Sequence, residues 1–226
     1  MKPYQLFFQA GDPRYSLQSN NGSYYKQDGI VDDNLFNQHL QGIITLGAYT
    51  TFQNTCLFGA WDIDINKSIY SLYEDTSEAF ENFKDEIVDI LKQFHILLQD
   101  YPHYMEFSGR KGAHVWIFFE EPMLSEAVFN FLQKMERKIK FRHEIFHIET
   151  FPKQAHPNGD GNLIKIPLAT HRVTGKKAWW CDPFLNEINL KWEDIKQIQK
   201  DNFEVVIKGA GINRMETGKN VSTGSI

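Results

Sequence analysis

Apolar side chains recur at every second position toward residue 65, where Trp61, Ile63 and Ile65 alternate with Asp62 and Asp64 and Phe58 precedes them. A period of two is that of a strand whose successive side chains point to opposite faces, so residues 57–65 are read as a buried strand. The period then lengthens. Phe80, Phe83, Ile87, Ile90, Leu91 and Phe94 form one stripe and predict an amphipathic helix over residues 76–94. Residues 104–107 and 114–119 read as strands joined by a Gly-rich turn, with Glu120, Glu121 and Pro122 ending the second. A second helix is expected over 125–138, capped by Ser125, followed by short strands at 147–151, 163–166 and 178–181 and a last helix over 192–199. Before residue 55 the pattern is weaker, and its clear helix runs over 32–41, opened by Asp32 and Asp33.

Strand, helix, strand, strand, helix, strand is the split βαβ, RRM-like order, so the expected fold class is α+β (α/β). The organisation predicted is one catalytic unit over residues 1–208, with a small N-terminal module to about 55 and an RRM-like module over about 56–208. Residues 209–226 are polar and read as a linker or frayed tail.

Composition narrows the setting. A chain of 226 residues with 42% hydrophobic content can bury one substantial core. Cys56 and Cys181 form no CxxC pair, which supports neither a disulfide framework nor a cysteine zinc site and fits a cytoplasmic protein. Residues 1–10 hold no extended apolar region, and no segment approaches 18 consecutive apolar residues, so neither secretion nor membrane insertion is expected. The formal net charge of -5 argues against a generic nucleic-acid coat protein, although metal ions and local basic clusters can supply a positive field.

The chemistry lies where the pattern is interrupted by charge. Asp62 and Asp64 would stand side by side on one strand face, and like-charged acids held so close call for a cation. Joined by a third acid, the pair suits two Mg2+ or Mn2+ ions that clamp the attacking and leaving oxygens of a phosphoryl transfer. In the turn from Ser108 to His114, Gly109 and Gly112 let backbone N–H groups approach an anion, while Arg110 and Lys111 add charge; a solvated hairpin fits the same residues. Lys165 interrupts an apolar strand and needs a counter-charge, which either a nucleotide phosphate or one of the acids would supply; His171 and Arg172 follow it. Asp182 ends the apolar run Trp179-Trp180-Cys181 and is a strand-end cap or, in this company, a metal ligand.

These motifs resemble the archaeo-eukaryotic primase superfamily, whose signatures are an acid-x-acid strand, a Ser-Gly-x-Lys-Gly-x-His-like turn and a hydrophobic-hydrophobic-acid strand. Here they read Asp62-Ile63-Asp64, Ser108 to His114 and Trp180-Cys181-Asp182, in family order. Within the superfamily, Phe151-Pro152-Lys153-Gln154, the stretch from Gly161 to Leu168 and that from Thr170 to Lys176 look like the primase-polymerases of CRISPR-associated and conflict-system operons. The resemblance implies a small α/β module packed on an RRM-like catalytic module, with Asp62, Asp64 and Asp182 as catalytic metal ligands and two Mg2+ or Mn2+ ions as cofactors. It implies His114 as a phosphate contact, with Ser108, Gly109, Lys111, Lys165, His171 and Arg172 around the incoming dNTP or NTP. The activity implied is that of a DNA primase or DNA-directed polymerase on a single-stranded or primed DNA template, with CRISPR adaptation proteins or fused domains outside this chain as partners. No cysteine/histidine zinc knuckle or helical priming domain follows the core, so an excised catalytic domain is expected. Tyr24, Tyr25 and Tyr49 are candidates for contacts to a base or ribose, against the plainer reading as packing or surface tyrosines.

Two other classes compete. His143-Glu144-Ile145-Phe146-His147 fits H-E-x-x-H, but the zinc-peptidase mechanism needs a helix through both histidines, and the second leads into a β-rich stretch closed by Pro152. A non-catalytic nucleotide or nucleic-acid binding module would use an RRM-like sheet, yet its aromatic signature is not apparent.

Overall fold

The computed structural model describes residues 2–73, 76–157 and 159–203. The tail expected at 209–226 lies outside the described residues. In chain order the elements are β1 (Arg14–Gln18), β2 (Tyr24–Asp28), α1 (Asp33–Leu40), β3 (Leu46–Tyr49), β4 (Thr55–Ile65), α2 (Lys67–Tyr70), α3 (Thr76–Leu97), β5 (Tyr104–Phe107), β6 (Gly112–Leu124), α4 (Ser125–Glu136), β7 (Phe146–Phe151), β8 (Leu163–Lys165) and β9 (Trp179–Cys181). They build a mixed α/β fold with two antiparallel sheets, ordered β2-β1-β3-β8 and β7-β4-β6-β5-β9. No helix among the described residues is long and apolar enough to cross a membrane.

Strand alternation sorts the chain into two cores. Trp61, Ile63 and Ile65 of β4 and Val115, Ile117 and Phe119 of β6 face one side of the five-stranded sheet, where they pack with Ile87, Leu91 and Phe94 of α3 and Val128, Phe131 and Leu132 of α4. Phe58, Ala60, Trp116, Phe118 and Trp180 face the other side and meet Leu46, Ala48 and Ile164 of the smaller sheet. Asp62 and Asp64 continue the row of Phe58 and Ala60, so the acids belong to the face between the sheets, where apolar filling stops.

Four expectations are corrected. Leu163–Lys165 does not extend the RRM-like sheet: it pairs with β3, with Ala48 opposite Ile164, because Ile164 fills the core between the sheets. The helix expected over 192–199 is a single 3-10 turn, Trp192–Asp194. Its backbone is used elsewhere, since Ile198 N–H donates to Phe118 O and Glu120 N–H to Ile198 O along the part of β6 that β5 does not cover. Strand β6 runs on through Glu120, Glu121 and Pro122 to Leu124, a register shift between Cys56 and Phe58 absorbing the irregularity. Ser125 does not cap α4; its hydroxyl donates to Ala155 O. By contrast, Asp32 caps α1 as expected, accepting from Leu35 N–H at 2.8 Å.

One buried polar clamp holds the smaller sheet to the chain beyond β8. The ring of His39 is 0% exposed; Nδ1 accepts from Leu46 N–H at 3.1 Å, so Nε2 carries the proton and donates to Pro167 O at 2.8 Å. Burial, ahead of a partly opposing bond to Pro167, lowers His39 to about 4. The unfolded chain, at about 6.5, takes up the proton first. His39 therefore contributes fully above about pH 6.5 and loses its contribution as pH falls toward 4. Replacing it in His39→Leu leaves two buried backbone groups unpaired and should cost on the order of 2–4 kcal/mol at neutral pH, with a shallower acid-side loss of stability. Urea melts of both proteins at pH 7 and pH 5 measure the cost and the slope.

Candidate active site

Register alone assembles a row of titratable groups across the larger sheet. Asp62 stands opposite Glu149 of β7 on one side and His114 of β6 on the other, and His114 stands opposite Glu106 of β5. Directly paired residues point to the same face, so Glu149, Asp62, His114 and Glu106 form one line. Asp64 lies one step along, opposite His147 and Gly112. A Cβ at Gly112 would sit 1.9 Å from Ile63 O and 2.6 Å from Asp64 Oδ1, so only glycine lets the turn close this tightly on the acids.

The two sheets enclose a pocket of about 290 Å³ over this row, and its lining includes Asp62, Asp64, Glu149, Ser108, Lys111 and His114. Tyr24, Arg110, Lys153, Lys165 and His171 are also part of its wall. Gly47 makes room for the ring of Tyr24 and the side chain of Leu163, each within 3.1 Å of where its Cβ would be. The Tyr24 phenol is held above its ordinary value by burial and then by the charges of Asp62 and Glu106.

Every carboxylate in the pocket meets a cation of the chain. Lys111 Nζ lies 2.6 Å from Asp64, His114 Nε2 lies 3.4 Å from Asp62, and Lys153 Nζ lies 2.8 Å from Glu149. Burial pushes Asp62 up, but His114 and then Lys111 and Lys165 outweigh it and hold the group below its usual range. Asp64 goes the other way: burial and the neighbouring Asp62 raise it despite Lys111. Burial opposes a charge on His114, yet Asp62 and Glu106 lift the imidazole to about 9. Among the described residues no group of three carboxylate, imidazole or thiolate side chains is drawn together in metal-ligand geometry.

The basic side of the pocket is built from the turn after β5. Gly109 adopts φ +84°, where a side chain would be strained and its Cβ would meet Lys176 O at 3.0 Å. Lys165 reaches from β8 to donate to Ser108 O, joining the two sheets across the pocket, and burial lowers its ammonium despite the pull of Glu106, Asp62 and Asp64. Arg110 lies over the ring of Tyr70 at 5.3 Å, and its buried Nε has no hydrogen-bond partner. His171 is lowered to about 4 by burial and then by Lys165, Arg110 and Lys111, so it faces the pocket as a neutral ring.

Eight of the ten residues singled out in the sequence, Asp62, Asp64, Ser108, Gly109, Lys111, His114, Lys165 and His171, belong to this pocket or its turn. Two do not. Arg172 is spent on Gly42 O, Ile43 O and Asn20 Oδ1. Asp182 closes the turn after β9, accepting from Phe184 N–H, Asn186 N–H and Asn186 Nδ2. Because Trp180 pairs with Glu106, it lies three strands from Asp62, about 14 Å at the usual strand spacing, and Asp182 stands two residues beyond it. The strand-end acid of the sequence signature is therefore not brought to the pair, whereas Glu149 is. A signal for Glu149 was present: His147-Ile148-Glu149 repeats the polar-apolar-polar alternation of Asp62-Ile63-Asp64. The H-E-x-x-H match dissolves in the fold, with His143 in a turn and His147 on β7, its Nδ1 held 2.8 Å from Asn66 Oδ1.

Among known protein families, that described as "TOTE conflict system, Archaeo-Eukaryotic Primase domain" matches residues 13–208. No curated protein matches the chain.

Proposed function

Because the chain belongs to the archaeo-eukaryotic primase domain family of TOTE conflict systems, we propose that it is a template-dependent primase-polymerase domain that transfers a nucleotidyl group from a dNTP or NTP to a 3′-hydroxyl. The biological setting proposed is a CRISPR-associated or related antiviral system. The observation that carries this reading is the pairing of Asp62 with Glu149 and His114 across three strands, with Asp64 and the Ser108–Gly112 turn beside them.

The donor set fits the divalent ions typical of the family. Asp62, Asp64 and Glu149 offer only carboxylate oxygens, and the first two face the pocket with 19% and 17% of their side chains exposed. These three acids would hold Mg2+ or Mn2+, which when bound supplies Lewis-acid activation of the 3′-hydroxyl and charge neutralisation on the departing pyrophosphate. The protein's own share is electrostatic and positional. His114, as an imidazolium at neutral pH, presents a donor to a phosphate oxygen, and Arg110 brings an unsatisfied N–H. Lys111, which neutralises Asp64, can exchange that acid for a triphosphate without leaving the turn.

A polymer partner is supported by local charge. Although the net charge is -5, residues 134–142 carry Lys134, Arg137, Lys138, Lys140 and Arg142 against one acid, Glu136. Ile139 is buried and Phe141 packs on the core while Lys138, Lys140 and Arg142 face solvent, and Gln93 fixes Lys140 through both its backbone groups. Arg142 pairs with Glu86; the other four make no ion pair among the described residues. This fixed row leads into β7, the edge strand that carries Glu149. A non-catalytic module using the open RRM-like face is disfavoured, because Trp116, Phe118 and Trp180 on that face are buried under the smaller sheet and cannot stack on bases.

Extension of a labelled primer on a template, with dNTPs or NTPs and Mn2+ or Mg2+, tests the activity. Asp62→Ala and Asp64→Ala should abolish extension and Glu149→Gln should lower it at least about 100-fold, while Asp182→Asn leaves it within about twofold. Loss on Asp182→Asn with activity retained on Glu149→Gln would reverse the assignment of the third acid, and no extension by the folded wild type under any of these conditions would sink the polymerase reading. For the basic row, Lys138→Glu/Lys140→Glu should weaken template binding at low salt and reduce the slope of log affinity against log salt by about 0.7–0.9 per lost phosphate contact. An unchanged slope in fluorescence-anisotropy titrations would place the nucleic acid elsewhere.

A further inference from the structure

One carboxylate of the row never reaches the pocket. Glu106 is 0% exposed, yet its two oxygens receive three hydrogen bonds. Oε2 accepts from His114 Nδ1 at 2.8 Å and from Trp116 Nε1 at 3.2 Å, and Oε1 accepts from the backbone N–H of Leu168 at 2.8 Å. An indole N–H and a backbone N–H can only donate, so Glu106 is used as an acceptor by both, and the third contact is completed by a proton on His114 Nδ1. That leaves Nε2 facing Asp62 and the pocket. Leu168 has φ +63° and stands in the segment between β8 and His171, whose Pro167 carbonyl is already held by His39. A left-handed leucine is costly and persists where its surroundings fix it; the bond to Glu106 is one such tether.

We infer that Glu106 is a positioning residue that keeps the proton on His114 Nδ1, aims Nε2 at the bound nucleotide, and tethers the turn leading to His171. Triphosphate binding thereby depends on a side chain that does not touch it. This rests on the reading of the pocket as a nucleotide site, and deepens it by naming what holds its central donor in place. Arrangements of this kind, in which a carboxylate fixes an imidazole through its far nitrogen, typically change affinity or activity about 10- to 100-fold when broken.

Long-range 1H–15N spectra of protein labelled at histidine, together with dATP binding in the presence of Mg2+, provide the test. In the wild type, His114 Nδ1 should carry a proton whether the ring is neutral or charged, and dATP should move the Nε2 resonance while that proton stays. In Glu106→Gln, whose amide can donate to the ring, Nδ1 should lose its proton and dATP affinity should fall about tenfold or more. His114→Ala should lose a similar factor, and the double variant should lose little further, since both changes remove one device. A wild-type His114 without a proton on Nδ1 would overturn the inference even if no Glu106 variant folds; so would a Glu106→Gln protein with unchanged affinity, or a double variant whose losses multiply. A wild-type protein in which dATP moves no His114 resonance would instead contradict the nucleotide reading, leaving the Nδ1 assignment to be judged from the spectrum of the free protein.

Discussion

Two carboxylates on one face of β4, held where water is scarce, impose the constraint around which the rest is arranged. Like charges this close raise each other's cost of ionisation, and burial raises it further. The opposite directions of the two groups show how the fold answers: Asp62 is kept ionised by His114, Lys111 and Lys165, while Asp64 is pushed up by burial and by Asp62 itself. Cations reach the pair from the Ser108–Gly112 turn, from β6 and from β8 of the other sheet, so the electrostatics of the acids also tie the two sheets together.

The same constraint explains how the inter-sheet core is divided. Along β4 the row that faces the smaller sheet begins as Phe58 and Ala60 and ends as Asp62 and Asp64. The apolar half is closed by Leu46, Ala48 and Ile164; the polar half is left as a pocket lined by Asp62, Asp64, Lys111, His114, Lys165 and His171. Gly112 and Gly109 are used where backbone must come close, and Glu106 and His39 are buried acceptors or donors that brace the chain after β8 against both sheets. Lys165 and Glu106 therefore join the pocket wall to the contact between the sheets.

Much of this was legible without coordinates because it is written in short periods. The alternation around Asp62 and Asp64 fixes which side chains share a face, the stripe from Phe80 to Phe94 fixes a helix, and the glycines of the Ser108–Gly112 turn mark a close approach. What the sequence could not supply was strand order. Trp180-Cys181-Asp182 and Phe146-His147-Ile148-Glu149 both carry an acid beside apolar residues, and only the pairing of β7 with β4, and of β9 with β5, separates the acid that meets Asp62 from the one that does not. Arg172 shows a related limit of sequence: a cation near the right motif is indistinguishable there from one that donates to the carbonyls of Gly42 and Ile43. The segment after residue 192 misled because buried Ile195 and Ile198 fall three apart, a helical spacing, while its backbone is drawn into bonding with β6.

The central claim is that Asp62, Asp64 and Glu149 form one cation-binding set beside an anion-binding turn. A crystal of the protein grown with Mn2+ and a non-hydrolysable nucleoside triphosphate, measured at the manganese absorption edge, tests it most directly. The account predicts anomalous density bounded by the carboxylates of those three residues, with Lys111 moved from Asp64 to the triphosphate and His114 Nε2 on a phosphate oxygen. Manganese on Asp182, or a triphosphate bound with Lys111 still on Asp64 and no metal beside Glu149, would contradict it.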